Sequence, residues 1–152
     1  MFKSPPGDHL TVGVIIPTRN RADLLHNSLE ALARQVRAAD EVIVVDNGST
    51  DNTRQVLEQW SGKLPIRYLY EPIPGAGQAR NLGIRNATSD VLAFTDDDCI
   101  PDLNWLHFIE LSFLRDPAIG MVAGKITPKL DGSTWAERFA AVNHLVSEGS
   151  AP

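Results

Sequence analysis

The amino-acid sequence predicts an α/β fold of three layers, α/β/α, with helices on both faces of a mainly parallel sheet. Short β-branched apolar runs alternate along the chain with longer segments whose apolar residues recur at helical spacing. The strands are apolar almost throughout, which is typical of parallel strands buried on both faces. A length of 152 residues with 43% hydrophobic residues fits one globular domain with a sizeable core.

Residues 11–16 form the first predicted strand, since they are nearly continuously apolar and β-branched. Pro17 lacks a backbone N–H and is expected to end this strand. Asn20 then fits the N-cap of a helix over residues 22–36, with Asp23 at the third helical position. The apolar residues of that helix are expected to pack in the core.

Residues 42–45 are the second predicted strand and are wholly apolar. The polar, Gly-containing segment 46–51 predicts a turn that leads into a helix over residues 53–60. Residues 66–70 are shorter and more polar, which predicts a third strand near an edge of the sheet.

Residues 78–87 follow a loop rich in Gly and Pro and predict the third helix. Residues 91–95 predict the fourth strand. A fourth helix is expected to begin near Pro101 and to stop before Pro117, and residues 119–123 predict a weak fifth strand.

Beyond Gly124 the alternation of strands and helices changes. Thr134 and Glu137 form a capping box for a last amphipathic helix. The apolar stripe of that helix consists of Trp135, Phe139, Val142 and Val146. We therefore divide the chain into a flexible N-terminus over residues 1–10, an α/β domain over residues 11–126 and a further region over residues 127–152.

The charge balance argues against nucleic acid as a partner, because a net charge of −5 without a Lys/Arg cluster lacks the basic surface that phosphate backbones require. The single cysteine, Cys99, excludes an intrachain disulfide. Residues 1–9 lack the apolar core of a signal peptide, and no run of about 18 apolar residues predicts a transmembrane segment. We expect a cytoplasmic location, either free or at the inner face of the membrane.

Three adjacent carboxylates, Asp96, Asp97 and Asp98, follow the fourth predicted strand. Because strand side chains alternate, Asp96 and Asp98 are expected to point one way and Asp97 the other. Mg²⁺ and Mn²⁺ take oxygen ligands, and Mg²⁺ is commonly held by one or two carboxylates and substrate phosphates. The pattern predicts a metal–diphosphate site, although a solvated acidic loop with Asp102 as the next N-cap fits the spacing equally.

Polar residues also follow the first two predicted strands, at residues 17–19 and 46–48. Ligands of open parallel sheets bind outside the carboxyl ends of the strands, so these segments and the three aspartates are expected to line one crevice. Each segment alone has a plainer interpretation, with Arg19 as a solvated charge and Asp46 and Asn47 as turn formers.

Gly75 and Gly77 invite comparison with a dinucleotide-binding fingerprint, but the details disagree. Residues 71–74 separate the strand from the first glycine, and Arg80 stands where the fingerprint needs a glycine. We interpret the two glycines as a flexible approach to Arg80. That arginine is either a contact to a base or phosphate or an ordinary helix-surface residue.

In combination, these segments resemble the family 2 glycosyltransferases, which have the GT-A fold and use a nucleotide-sugar donor. The resemblance covers about residues 11–126 and rests on the order and spacing of several motifs. They are VIIPTRN at 14–20, VVDNGSTD at 44–51, GQARNLG at 77–83, FTDDD at 94–98 and PDLNWL at 101–106.

The resemblance implies a role for each polar segment. The implied nucleotide site consists of Pro17, Thr18, Arg19, Asp46, Asn47, Arg80, Asp96 and Asp97. Asp96 and Asp98 would form an Asp-x-Asp motif for Mn²⁺ or Mg²⁺, with Asp98 as the main metal ligand and Asp97 partly structural. Residues 11–126 would be the nucleotide-sugar-binding domain, and residues 127–152 the start of an acceptor region that is truncated.

The implied activity is transfer of a sugar from a nucleoside-diphosphate-sugar to an acceptor hydroxyl with inversion. A divalent ion would stabilise the diphosphate leaving group as a Lewis acid, and a carboxylate beyond Pro152 would take the acceptor proton. The choice between a UDP- and a TDP-sugar stays open because Asn47 stands where the family often has an acid. A saccharide or lipid-linked acceptor and a homodimer also stay open.

Two other functions remain as alternatives. The first is a non-catalytic or truncated module that binds a nucleoside-diphosphate-sugar without transferring the sugar. The second is an α/β nucleotidyltransferase, which is disfavoured because no Gly-rich phosphate loop follows the first predicted strand.

Overall fold

The computed structural model describes residues 9–127 of the chain. The chain divides into two compact units, Met1–Gly120 and Met121–Pro152. Every helix and strand named below belongs to the first unit, and residues 121–127 of the second contain neither. Residues 1–8 of the predicted flexible N-terminus and the predicted last helix near Thr134 lie outside the described part. Among residues 9–127, no helix is both long and apolar enough to cross a membrane.

Strands and helices alternate in the order that the sequence predicts. The strands are β1 (Val12–Thr18), β2 (Glu41–Asp46), β3 (Ile66–Tyr70) and β4 (Val91–Phe94). The helices are α1 (Ala22–Ala33), α2 (Thr53–Trp60), α3 (Ala76–Asn86) and α4 (Trp105–Arg115). The bounds of α2 and β3 are those predicted, and the other elements differ from prediction by a few residues at their ends.

Within the described residues the strands form one sheet, in which all pairs are parallel and the order is β3-β2-β1-β4. The chain therefore builds the sheet outward from β1 to β3 and then returns to place β4 on the other side of β1. In such a sheet the ligand crevice lies outside the carboxyl ends of the strands at this switch point. The polar strand β3 lies at the edge, as expected.

Helices cover both faces of the sheet, which confirms the predicted three-layer α/β/α fold. On one face, Val14 of β1 belongs to a buried cluster with Leu25 of α1 and Leu106 of α4. On the other face, Ile15 belongs to a cluster with Ala79 of α3. Consecutive residues of β1 thus enter two separate apolar layers, which explains why the whole strand is apolar.

Helix α3 approaches the sheet closely at Gly83. A Cβ atom at this position would lie 2.7 Å from Cγ2 of Ile15, which is too close for packed carbon atoms. In the dinucleotide-binding fingerprint, the glycine that allows close packing of helix and strand would stand at the position of Arg80. The close helix–strand contact is made instead at Gly83, one turn further along α3.

The prediction that Pro17 ends the first strand is wrong, because β1 continues to Thr18. Ile15 accepts a hydrogen bond from the Thr95 N–H, so the odd-numbered residues of β1 direct their backbone groups toward β4. The pairing of β1 with β4 ends at Ile15 and Phe94. The missing N–H of Pro17 therefore costs no ladder hydrogen bond.

The prediction that Asn20 caps α1 is also wrong. The cap residue is Arg21, which makes no side-chain cap hydrogen bond. Asn20 instead has a left-handed backbone with φ 53°, and its Oδ1 accepts a hydrogen bond from the Thr50 N–H at 2.7 Å. The first helical N–H, that of Ala22, donates to Asp51 Oδ2 at 2.9 Å. A carboxylate from the loop after β2 thus replaces the expected local cap.

The segment after β4 differs from prediction at two places. Asn104, not Asp102, is the cap residue of α4, and Asp102 Oδ1 accepts the Asn104 N–H at 2.9 Å in the turn before the helix. Residues 119–123 do not form the predicted fifth strand. Gly120 and Gly124 interrupt and follow this short run, and glycine is unfavourable in a strand.

Candidate functional site

The three aspartates lie in a turn immediately after β4, not within the strand. β4 ends at Phe94, and the Cys99 N–H donates to the Asp96 carbonyl at 3.1 Å across the turn. The side chains of Asp96 and Asp98 are 49% and 48% exposed, whereas that of Asp97 is 5% exposed. Two outward carboxylates and one inward carboxylate are therefore present as predicted, but the turn, not the strand pleat, separates them.

Arg21 holds two of these carboxylates with one nitrogen atom. Its Nη1 donates to Asp97 Oδ1 at 3.2 Å and to Asp98 Oδ2 at 3.0 Å. The hydroxyl of Thr18, at the end of β1, donates to the other oxygen of Asp97 at 2.8 Å. The hydrogen bond and the charge of Asp97 raise the pKa of Arg21 further, so its charge is permanent.

Arg80 supplies the second basic group. It lies on α3, and its Nη2 forms an ion pair with Asp96 Oδ1. The helix begins after Gly75, whose φ of 136° favours glycine. The Gly75 N–H donates to Asn47 Oδ1 at 2.7 Å, so the loop after β2 anchors the start of the helix that carries Arg80.

The turn before α1 is held by the same loop. The Asn20 N–H donates to Ser49 Oγ at 3.0 Å, and the Ala22 N–H donates to Asp51 Oδ2 at 2.9 Å. Burial would raise the pKa of Asp51, but hydrogen bonds from Thr53 and from backbone N–H groups lower it overall. These contacts fix the backbone on both sides of Arg21 and direct its side chain toward the aspartates.

Asp46 is buried at the end of β2. Its Oδ1 accepts the Ser49 N–H at 2.7 Å, and its Oδ2 accepts the Tyr68 hydroxyl at 3.2 Å. Burial, together with the negative charge of Asp46, raises the pKa of Tyr68. Because an ionised carboxylate offers about four acceptor positions, Asp46 can still accept a hydrogen bond from a ligand.

Asn47 is engaged with the loop that follows β3. Its Nδ2 donates to the carbonyl oxygens of Glu71 and Ile73 at 2.8 and 2.7 Å, and its Oδ1 accepts from Gly75. Both amide hydrogens are therefore used within the protein. Its direct contact with a nucleotide stays a prediction, and in the structure its side chain positions the loop between β3 and α3.

A cleft of about 360 Å³ opens beside Asp46. Its lining residues are Asp46, Ser49, Asp51, Thr53, Arg54, Tyr68 and Tyr70. The guanidinium of Arg54 lies over the Tyr68 ring, 5.8 Å from its centroid. Aromatic rings and a carboxylate that line such a cleft suit a planar, hydrogen-bonding ring such as a nucleobase.

The structure brings the three predicted strand ends together. Thr18 is the register partner of Asp46 on β2 and hydrogen-bonds Asp97 after β4. Pro17 and Arg19 flank Thr18, and Arg19 is exposed with no hydrogen bond or ion pair to another described residue.

Sequence reasoning missed Arg21 and the two tyrosines of β3. Polar residues are common at the start of a helix, so the position of Arg21 in the sequence gives no signal of a functional role. The i, i+2 spacing of Tyr68 and Tyr70 on an edge strand was the available signal, because it places both rings on one face beside Asp46.

The carboxylate oxygens of this turn are suitable ligands for a divalent ion such as Mg²⁺ or Mn²⁺. Asp96 and Asp98 are half exposed, and among the described residues nothing hydrogen-bonds Asp96 Oδ2. Within residues 9–127 no group of three or more His, Cys, Asp or Glu side chains is arranged to hold a metal by itself. Such a site would therefore depend on ligand phosphates and water for its remaining oxygens, as Mg²⁺ sites commonly do.

The sequence matches the family model described as glycosyl transferase family 2 over residues 13–145. Among curated proteins, the glycosyltransferase AglE of Haloferax volcanii is 34% identical over 140 residues, which are 88% of this chain and 45% of AglE. The chain therefore spans less than half the length of this relative.

Two solved structures share the fold. TarS of S. aureus in complex with UDP has a TM-score of 0.64 and 29% identity, covering 70% of this chain and 32% of that one. The mannosyltransferase PcManGT from Pyrobaculum calidifontis, in complex with GDP-Man and Mn²⁺, has a TM-score of 0.58 and 33% identity. It covers 62% of this chain and 29% of that chain. These likenesses confirm a fold of the GT-A glycosyltransferase type.

Proposed function

The chain belongs to glycosyl transferase family 2, and on this basis we propose that it is the donor-binding part of a glycosyltransferase. The reaction is transfer of a sugar from a nucleoside-diphosphate-sugar to an acceptor hydroxyl with inversion, dependent on Mn²⁺ or Mg²⁺. The main support is the meeting of two exposed carboxylates, Asp96 and Asp98, with two arginines at the switch point of the sheet.

The residues beside β1 and β2 bind the nucleoside in this proposal. Asp46 accepts a hydrogen bond from the base or ribose, with Tyr68 and Tyr70 beside it in the cleft. Pro17 and Thr18 at the end of β1 are proposed to contact the nucleoside between Asp46 and the aspartates. Their support is position, since Thr18 lies next to Asp46 in register and contacts Asp97.

The basic residues take the charge of the diphosphate. Arg80 lies beside Asp96 and is partly exposed, so it can donate to a phosphate oxygen as well. Arg19 is exposed and has no described partner, which leaves its charge available at the same edge of the sheet.

Asp98 and Asp96 would hold the metal ion. A bound divalent ion supplies Lewis-acid stabilisation of the leaving diphosphate. Asp97 keeps the turn in place through its buried bonds to Thr18 and Arg21. The group that takes the acceptor proton is proposed to be a carboxylate other than the residues named above, and residues 127–152 are proposed to belong to the acceptor region.

The proposed donor is a UDP- or TDP-sugar, and the acceptor is a saccharide or a lipid-linked molecule. The relatives are consistent with a range of nucleotides, since TarS was solved with UDP and PcManGT with GDP-Man. We further propose a cytoplasmic location, free or at the inner face of the membrane, with a homodimer as one oligomeric state to test.

Calorimetric titration with UDP and with TDP, each with and without MnCl₂, tests the site. We expect one nucleotide to bind roughly tenfold more tightly with Mn²⁺, because Asp98 would hold the ion and the ion would offset the negative charge of the phosphates. Asp98→Asn should remove most of this gain, whereas Glu30→Gln, an exposed carboxylate change on α1, should leave it intact. A metal effect that survives Asp98→Asn, or is absent for both nucleotides, contradicts the proposed site.

The second candidate is a module that binds the donor without transferring sugar. It is kept because the chain covers 45% of AglE, so the activity of a whole enzyme requires its own test on this chain. Incubating the 152-residue chain with radiolabelled UDP-sugars and MnCl₂ separates the two functions. Release or transfer of sugar above the level of Asp98→Asn excludes the binding-only function, and tight binding without release supports it.

A further inference from the structure

Arg21 occupies a position that the family motifs listed above do not assign. It lies at the cap of α1, and one of its nitrogen atoms contacts both Asp97 and Asp98. Asp96 has its own cation in Arg80. Two guanidinium groups from elsewhere in the chain therefore contact the three carboxylates of this turn. The five groups together carry a net charge of about −1, whereas the three aspartates alone would carry −3.

We propose that Arg21 is the resident counter-ion of this turn: it competes with a divalent ion for Asp98 and contributes its charge to binding the diphosphate. The inference rests on the proposed function of the site. Arg21 is a positioning residue in this account, since it acts on the ligands through Asp97 and Asp98 and through its charge.

The geometry makes Asp98 the contested group. Asp97 is buried and is also held by Thr18, so it cannot turn outward without losing two hydrogen bonds. Asp98 is half exposed, and its strong contact is the one to Arg21 at 3.0 Å. The side chain of Arg21 is itself 51% exposed, so this pair is weak enough to exchange in the presence of another cation.

The positive charge of Arg21 has opposite effects on the affinities for a metal ion and for a diphosphate. By Coulomb's law in water, a unit positive charge about 5 Å from a divalent ion weakens binding of that ion by roughly tenfold before salt screening. The same charge strengthens the binding of a diphosphate. Arg21 therefore makes the metal-free turn a poor site for a metal alone and a better one for a nucleotide.

The test measures each ligand separately with Arg21→Met. We expect the affinity for MnCl₂ alone to rise by about threefold to tenfold and the affinity for UDP alone to fall by a similar factor. A residue with only a structural role would weaken both when removed, so shifts of opposite sign distinguish the two roles. Calorimetry, and electron paramagnetic resonance of free Mn²⁺, provide the readouts without any measurement of catalysis.

Matched variants separate the effect of the charge at position 21 from the effect of other changes. Arg34→Met removes the same charge from the other end of α1, beyond the screening length at physiological salt, and should change neither affinity. Arg21→Lys keeps the charge and should leave both affinities within about twofold of the native values. Arg21→Gln is a second neutral variant, and the expectation for it is the same as for Arg21→Met.

Failure of this inference and failure of the proposed function look different. In one outcome, the native chain binds Mn²⁺ and UDP while the neutral variants shift both affinities in the same direction or change neither affinity. The role given to Arg21 is then wrong, and the proposed metal and nucleotide site is unaffected. If the native chain binds neither ligand, the proposed function is wrong and the role of Arg21 falls with it.

Discussion

At the scale of single residues, the three adjacent aspartates differ because of their partners. Asp97 is buried against Thr18 and Arg21, and it ties the ends of β1 and β4 together. Asp96 and Asp98 keep exposed oxygens. A buried carboxylate is stable only when hydrogen-bond donors surround it, so the hydroxyl of Thr18 contributes directly to the shape of the turn that carries the three aspartates.

Thr18→Val tests this contribution, because it preserves the shape of the side chain and removes the donor. We expect the free energy of unfolding to fall by about 2 kcal/mol, as for other hydrogen bonds to buried charged groups. Urea unfolding at neutral pH measures it. Thr18→Ser keeps the hydroxyl and loses one methyl group, so its cost should be about 1 kcal/mol; a larger cost for serine than for valine contradicts the role given to the hydroxyl.

At the scale of elements, helix α3 positions Arg80 because its backbone lies close to β1. Gly83 faces Ile15 across this contact and is buried, whereas Gly77 in the first turn of the same helix has open space around it. The two glycines therefore have opposite roles. One permits packing against the sheet, and the other only lowers helix propensity.

Gly83→Ala and Gly77→Ala form a matched pair. At Gly83 the new methyl group would meet Ile15 at 2.7 Å, so we expect a loss of about 1–3 kcal/mol from overpacking despite the better helix propensity of alanine. At Gly77 we expect a gain of up to about 1 kcal/mol. Thermal and urea unfolding compare them, and a stabilised Gly83→Ala would show that α3 can move away from β1 at little cost.

At the scale of the whole molecule, the two ends of the sheet have different roles. The carboxyl end carries the proposed donor site. At the amino end, buried Glu110 of α4 accepts hydrogen bonds from Arg37 at 3.0 Å and from the Leu10 N–H at 3.1 Å, and His9 lies 2.7 Å away. Arg37 also pairs with Asp40, so this network joins the start of β1, the loop after α1 and α4.

Glu110→Gln tests this network through its pH dependence. Burial would raise the pKa of Glu110, but the hydrogen bonds from Arg37 and Leu10 lower it overall below 4.5. A lowered pKa means that the stabilisation is fully present above about pH 5 and is lost as the pH falls through the folded-state value. Glu110→Gln should cost roughly 3 kcal/mol at pH 7, and less below pH 4.5.

Urea unfolding at several pH values measures this difference. The exposed control Glu30→Gln should differ from the native chain by less than about 0.5 kcal/mol at every pH. The loss of unfolding free energy in Glu110→Gln could instead stay constant at every acidic pH at which the protein is folded. That result would show that the negative charge of Glu110 contributes nothing to stability.

Local patterns were sufficient to predict much of the fold. β3 and α2 were predicted with their observed bounds because the apolar period and the turn residues agree there. Pro17 was misjudged because the cost of a missing N–H depends on whether a neighbouring strand faces it, and β4 stops before that point. Asn20 was misjudged because Asp51, 31 positions along the chain, provides the acceptor for α1.

The sequence by itself determined the layers, the strand ends that carry polar residues, and the family, because these follow from periodicity and from motif order along the chain. Only the tertiary structure decided which charges meet. Arg21 reaches Asp97 and Asp98 across more than 70 positions of sequence, and Asn47 turns toward residues 71–75. Side-chain partners depend on strand order and on the path of the loops, and a linear pattern of residue types contains neither.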